Sequence, residues 1–132
     1  MLSDIDQFKH MSFANYLKLM FLAADALFIG VIDDAFLKKW NIRLVTSRMQ
    51  FKRQTVVGDD ILIKVNSSDI RDSNFSLLFT FVIAGSGELI GLGKQQYCFY
   101  NLEIKAVEGI HHEIQNTLKA ITVDEPNLLY KY

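Results

Sequence analysis

The chain has 132 residues, half of them hydrophobic and 22% charged, with one Pro, one Cys and a formal net charge of −1. This length and apolar content suit a single domain with a full core, expected to span residues 1–132. The balanced charge argues against nucleic acid as the main partner, and lone Cys98 excludes an intramolecular disulfide or a cysteine-built metal site.

Ser12 is a suitable N-cap, and the stretch FANYLKLMFLAADALFI after it holds no Gly or Pro. A helix is expected there, ending near Gly30. Its polar members Asn15, Lys18 and Asp25 recur at spacings of three and seven, along one side. The other sides are apolar, as for a helix wrapped by the rest of the fold. Those three polar groups do not suit a membrane span, and Asp4 and Asp6 do not suit the start of a signal peptide. A soluble, cytoplasmic protein is expected.

A short second helix is expected over Asp33 to Lys39. From Leu44 the period changes to two, so LVTSRMQFKRQ reads as a long strand and VVGDD as the turn after it. ILIKVNSSDI gives a second strand, with Ile61, Ile63 and Val65 on one face. The third is the plainest: Phe75, Leu77, Phe79, Phe81 and Ile83 alternate with smaller or polar residues. AGSGE supplies a hairpin loop, and a fourth strand follows from Leu89 to about Tyr100. There Gly91 and Gly93 share a face, leaving room for close approach of a backbone or ligand. Ile110, Ile114, Leu118 and Ile121 are spaced for one side of a closing helix. A sheet with one apolar face needs a cover, and the first helix is the obvious one. The expected class is α+β, with a long buried helix across a curved antiparallel sheet.

Ahead of the first helix stands D-I-D-Q-F-K-H-M-S-F-A-N-Y-L, from Asp4 to Leu17. This resembles the D-x-D-x-x-G-H-V-N-N-x-x-Y-L signature of hotdog-fold acyl-CoA thioesterases of the 4-hydroxybenzoyl-CoA thioesterase type. VVGDDILIKV is similar to the family's G-D-x-L-x-I element, and LIGLGKQQYCFY to its last core strand. The resemblance implies a hotdog fold and thioester hydrolysis without a cofactor. It makes Asp6 the group that attacks the carbonyl or activates water, and the N–H around Phe13 the donor to the thioester oxygen. His10 falls where plant acyl-carrier-protein thioesterases carry a histidine, Tyr16 falls on a position that shapes the acyl pocket, and Ser12 lies beside the substrate. Lys9 replaces the family glycine, and Phe8 replaces the asparagine of the plant enzymes. Only Met1 to Ser3 precede Asp4, so the family's usual first strand is expected to be missing, replaced by something else or lost from this chain, and its absence would expose a sheet edge near the site. A homodimer or homotetramer is implied, with the site between subunits.

The chemistry of the residues agrees with this. A thioester needs a carboxylate near its carbonyl carbon and donors facing its oxygen, and a helix N-terminus carries unpaired N–H groups and partial positive charge. Plainer roles stand beside these: Asp6 capping a turn or pairing with Lys9, His10 at an interface, Ser12 as a cap only. Asp25 reads as a structural group or as a second carboxylate, since some relatives carry their acid on this helix. His111 and His112, adjacent in the closing helix, are expected to face different directions, so no metal site is expected. Arg43, Arg48, Lys52 and Arg53 are candidates for phosphate contacts or a solvated strand face, and Cys98 reads as a buried thiol.

Three functions follow: hydrolysis of an acyl-CoA or acyl-carrier-protein thioester, a non-catalytic acyl-binding module, and a hotdog dehydratase or hydratase. The last fits poorly, because its D-x-N-P-x-H spacing is absent. GKQQYCFY also looks similar to small thioesterases that release polyketide products, which keeps both carriers open.

Overall fold

The structure, a computed structural model, describes residues 13–29, 32–53 and 60–122. Helix α1 spans Phe13–Leu27 and helix α2 spans Asp34–Lys39. Four strands follow, β1 at Trp40–Phe51, β2 at Ile61–Ser68, β3 at Asn74–Ile83 and β4 at Leu89–Asn101. A two-residue β5, Ala106–Val107, and helix α3, His112–Lys119, close the described chain. The strands pair antiparallel in the order β1-β4-β3-β2, with β5 beside β4.

α1 forms where helix-favouring Ala, Leu and Met residues are uninterrupted by Gly or Pro. It buries Tyr16, Met20 and Ala24 at four-residue intervals, and Phe28 just beyond its end continues the row. This row lies on the sheet face formed by Phe75, Leu77, Phe79 and Phe81 of β3, each fully buried. Each such side chain contributes about 1.5–3 kcal/mol relative to exposure. Asn15, placed by spacing on the polar side, is also buried, whereas Lys18 and Asp25 are exposed. Phe21 and Leu22 are exposed too, so within one chain the helix is not wrapped all round.

α2 is capped by Asp33, whose carboxylate accepts the Phe36 N–H at 2.8 Å, and Lys38 and Lys39 suit the negative end of its dipole. Its last residue leads straight into β1. That strand starts at Trp40, four residues before the expected Leu44, because Trp40 stacks on Phe99 of β4 at 4.9 Å. A bulge between Leu44 and Thr46 shifts the phase. Ile42 and Leu44 pair across from core residues Phe99 and Tyr97 before it, while Ser47 and Met49 take over opposite Gln95 and Gly93 after it.

α3 is shorter than its apolar spacing suggests: Ile114 and Leu118 are fully buried, but Ile110 and Ile121 flank the helix. His111 is its N-cap, accepting from the Glu113 N–H, and its ring stacks on His112 at 4.8 Å. The two histidines therefore do not face apart; the extended backbone of the cap turns one ring over the other. Beyond α3 the chain meets the outer side of β2, where the Ser67 N–H donates to the Ile121 carbonyl at 3.0 Å. Asn66 Nδ2 donates to the same carbonyl at 3.1 Å. The expected gap at the first strand concerns residues 1–12, which lie outside the described residues. Cys98 is half-buried rather than buried: Tyr97 and Phe99 point into the core, so strand alternation turns the thiol to the opposite face.

The two glycines of β4 are close-approach positions. A Cβ at Gly93 would lie 2.6 Å from the Met20 sulfur, and one at Gly91 would lie 2.6 Å from the Gln50 carbonyl oxygen. Gly93→Ala and Gly91→Ala should each destabilise by about 1–3 kcal/mol in urea unfolding. In a double-mutant cycle Met20→Ala should relieve Gly93→Ala by at least about 0.5 kcal/mol and leave Gly91→Ala unrelieved. The difference arises because a side chain can withdraw and a paired backbone cannot.

Candidate active site

Two features of α1 bear on chemistry: its N-terminal end and a cleft along its C-terminal half. The helix begins at Phe13 with no acidic residue in its first turn. No carboxylate within that turn therefore offsets the positive end of the helix dipole. One turn in, Tyr16 is 1% exposed. Its ring meets Phe51 at 5.0 Å and Phe81 at 5.3 Å, both edge-on. This aromatic group fastens the start of α1 over the ends of β1 and β3. Of the residues expected at the site, Phe13 therefore opens the helix and Tyr16 anchors it. Asp4, Asp6, His10 and Ser12 lie outside the described residues.

The cleft, about 340 Å³, lies between α1, α2 and β1. Phe21, Ala24, Phe28, Ile32, Phe36, Leu37, Ile42 and Leu44 make it largely apolar, and Asp25, Asn41 and Tyr97 add polar groups. Tyr97 is 6% exposed and donates its hydroxyl proton to Gln95 Oε1. Fully buried Gln95 in turn donates from Nε2 to Ser47 Oγ at 3.1 Å. A continuous polar chain thus runs beneath α1 from the cleft to β1. Burial, and secondarily the charge of Asp25, push the Tyr97 phenol well above its ordinary range. Asp25 was visible in the sequence as the last polar residue of the helix. Tyr97, Gln95 and Ser47 were not, because their convergence depends on the β1–β4 register and on the bulge.

The basic residues do not converge on one site. The Arg43 guanidinium lies 3.7 Å over the Tyr100 ring, and Arg53 pairs with Glu88 at 3.1 Å. Arg48 stands opposite Lys94, which itself bonds Asp69 at 3.0 Å. Among the described residues no cluster of three His, Cys, Asp or Glu side chains is arranged to hold a metal ion. Nor is any described helix long and apolar enough to cross a membrane.

The family model of the thioesterase-like superfamily matches residues 1–118. The chain belongs to that superfamily. Its fold, a helix across a curved antiparallel sheet, is the hotdog fold. A 1,4-dihydroxy-2-naphthoyl-CoA thioesterase from Synechocystis superposes with a TM-score of 0.81 at 15% identity, covering 89% of each chain. The Dynemicin thioesterase gives 0.82 at 14% identity, over 91% of this chain and 90% of its own. A gentisyl-coenzyme A thioesterase gives 0.73 at 21% identity, over 88% and 92%. No curated protein sequence matches the chain.

The buried phenol has a consequence for stability. An unfolded tyrosine ionises near pH 10, while folded Tyr97 keeps its proton to higher pH. Above about pH 10 the unfolded state therefore binds fewer protons than the folded one, and stability falls as pH rises. Below that pH the contribution is intact. Between pH 9 and 11 the unfolding free energy of the parent should fall more steeply than that of Tyr97→Phe, as read by urea titration at each pH.

Proposed function

We propose that this protein is a thioesterase of the 4-hydroxybenzoyl-CoA type, acting on an acyl-CoA or acyl-carrier-protein thioester. The observation that carries the reading is the superfamily match across residues 1–118, which spans both the Asp6 motif and the start of α1 at Phe13. Similar structures named for CoA thioesters support CoA as the carrier.

In this reading the thioester carbonyl oxygen accepts from the N–H around Phe13, where the helix dipole stabilises the charge that develops on it. Asp6 takes a proton from water as the water oxygen adds to the carbonyl carbon, or its own oxygen adds first and water then cleaves the resulting anhydride. In both routes the C–S electron pair leaves with sulfur, which is protonated, and the products are a carboxylic acid and a free thiol. His10 orients the carboxylate or water. Ser12 caps the helix beside the substrate, and Tyr16 holds the helix end behind it. No metal or cofactor is required. The chain works as one domain in the cytoplasm.

The same reading includes a homodimer or homotetramer. Phe21, Leu22, Leu37, Leu44 and Val45 are exposed apolar residues on α1, α2 and β1, the strand at one end of the sheet order. Such a face beside a strand edge favours a second copy of the same surface.

Thiol release from a panel of acyl-CoA and acyl-pantetheine substrates tests the chemistry. Asp6→Asn should lose at least about 10² in kcat/KM on any substrate the parent turns over. Equal rates would remove Asp6 from the mechanism, and no turnover by either would leave an acyl-binding module. In sedimentation at micromolar concentration the parent should exceed monomer mass, and Val45→Lys, charging the exposed bulge of β1, should shift it toward monomer.

A further inference from the structure

The two strands at the ends of the sheet order, β1 and β2, are built differently. β1 is interrupted by its bulge, whereas β2 pairs with β3 from Ile61 to Ser68 without a register shift and holds no Pro. A regular edge of this kind is a template for a further strand. Two bonds show which way its backbone groups point. The Asp60 carbonyl accepts from the N–H of Ala84, just beyond β3, at 2.8 Å. The Ser67 N–H turns the other way, to the Ile121 carbonyl. Successive residues of a strand direct their backbone groups to opposite sides, so Ile61, Ile63 and Val65 share the outward direction of Ser67. Among the described residues, the one backbone pairing on this edge is that of Ser67 with residues 121–122. Residues 61–65 are left open.

The side chains show the same opening. Ile61, Ile63 and Val65 pack against the core yet stay half-buried, while Phe81 and Phe79, paired with Ile63 and Val65, are fully buried. Leu62 and Lys64 are exposed on the outer face, and alternation places exposed Asp60 beside them.

An extended backbone complements this stretch, and the stretch complements itself. A second copy laid antiparallel, with a two-fold axis at Leu62, sets Ile61 against the partner's Ile63, and this pair exchanges both backbone bonds. On the outer face Leu62 meets the partner's Leu62. A lysine on an edge normally discourages pairing, but here Lys64 falls opposite the partner's Asp60. By symmetry that opposite-charge pair forms twice.

We propose that the β2 edge is an interface for a second copy of this chain, the two strands paired antiparallel about Leu62. The inference does not depend on the thioesterase reading. It is also separate from the exposed face of α1, α2 and β1, which lies at the other end of the sheet order.

Two measurements test it. In a Cys98→Ser background, Leu62→Cys should form a disulfide-linked dimer under mild oxidation, because directly opposed residues are within bridging distance. Lys64→Cys should not, since the same pairing holds its two thiols four residues out of register. Cross-linking of Leu62→Cys no faster than that of Lys64→Cys overturns the pairing. Second, amide exchange at Ile61 and Ile63 is followed in the parent over a range of protein concentrations. Protection should rise with concentration. Lys64→Glu, which sets like charges opposite Asp60 on both sides, should raise the concentration for half-protection about ten-fold. Asp60→Lys combined with Lys64→Glu should bring it back. Protection independent of concentration assigns the edge to a segment of the same chain and overturns the proposal. Exchange unprotected at every concentration leaves the edge to water or to a strand of another protein, and overturns it too.

Discussion

The contact between Met20 and Gly93 sets the depth at which α1 lies on the sheet. A fully buried thioether occupies the space that a Cβ on β4 would fill. The helix therefore sits close to the strand that stands between β1 and β3. Tyr16 one turn earlier and Ala24 one turn later follow from that seat, because residues four apart lie on one face. Seating the helix in this way fixes two positions together. The N-terminal amides are held at the Phe51–Phe81 end of the sheet, and Phe21 and Asp25 are turned toward β1.

Within this apolar layer the chain Tyr97–Gln95–Ser47 is the main polar intrusion described. Burying an amide such as Gln95 is costly unless both of its ends are satisfied. Here its oxygen accepts from Tyr97 and its nitrogen donates to Ser47. The arrangement needs Ser47 on the inner face, and the β1 bulge supplies that by moving the strand one residue out of phase. A bulge beside a cleft re-aims side chains while leaving pairing with β4 intact on either side. The bulged residue, Val45, is left exposed on the strand, so one local irregularity shapes both the inner polar chain and the outer edge.

Superposition with thioesterases at 14–21% identity shows how far the sequence can change while this fold persists. An antiparallel sheet carrying a helix tolerates wide sequence change if the apolar rows persist. The fold does not by itself fix the activity, which depends on the particular groups placed on it.

The sequence by itself determined the elements with strong local signals. The uninterrupted helix after Ser12, the alternation of Phe75 to Ile83 and the AGSGE turn depend only on residues close in the chain. It placed Gly91 and Gly93 on one face for the same reason. Other features were decided by tertiary structure. The early start of β1 depends on Trp40 stacking on Phe99, fifty-nine positions away in the chain. The burial of Asn15, the half-exposure of Cys98 and the stacking of His111 on His112 depend on neighbours or backbone turns that periodicity does not encode. The cleft depends on the bulge and on the β1–β4 register, which bring Asp25 and Tyr97 to one wall from positions seventy-two residues apart. Local propensity acts through neighbours along the chain, whereas a pocket is made by residues that meet only when the sheet has closed under its helix.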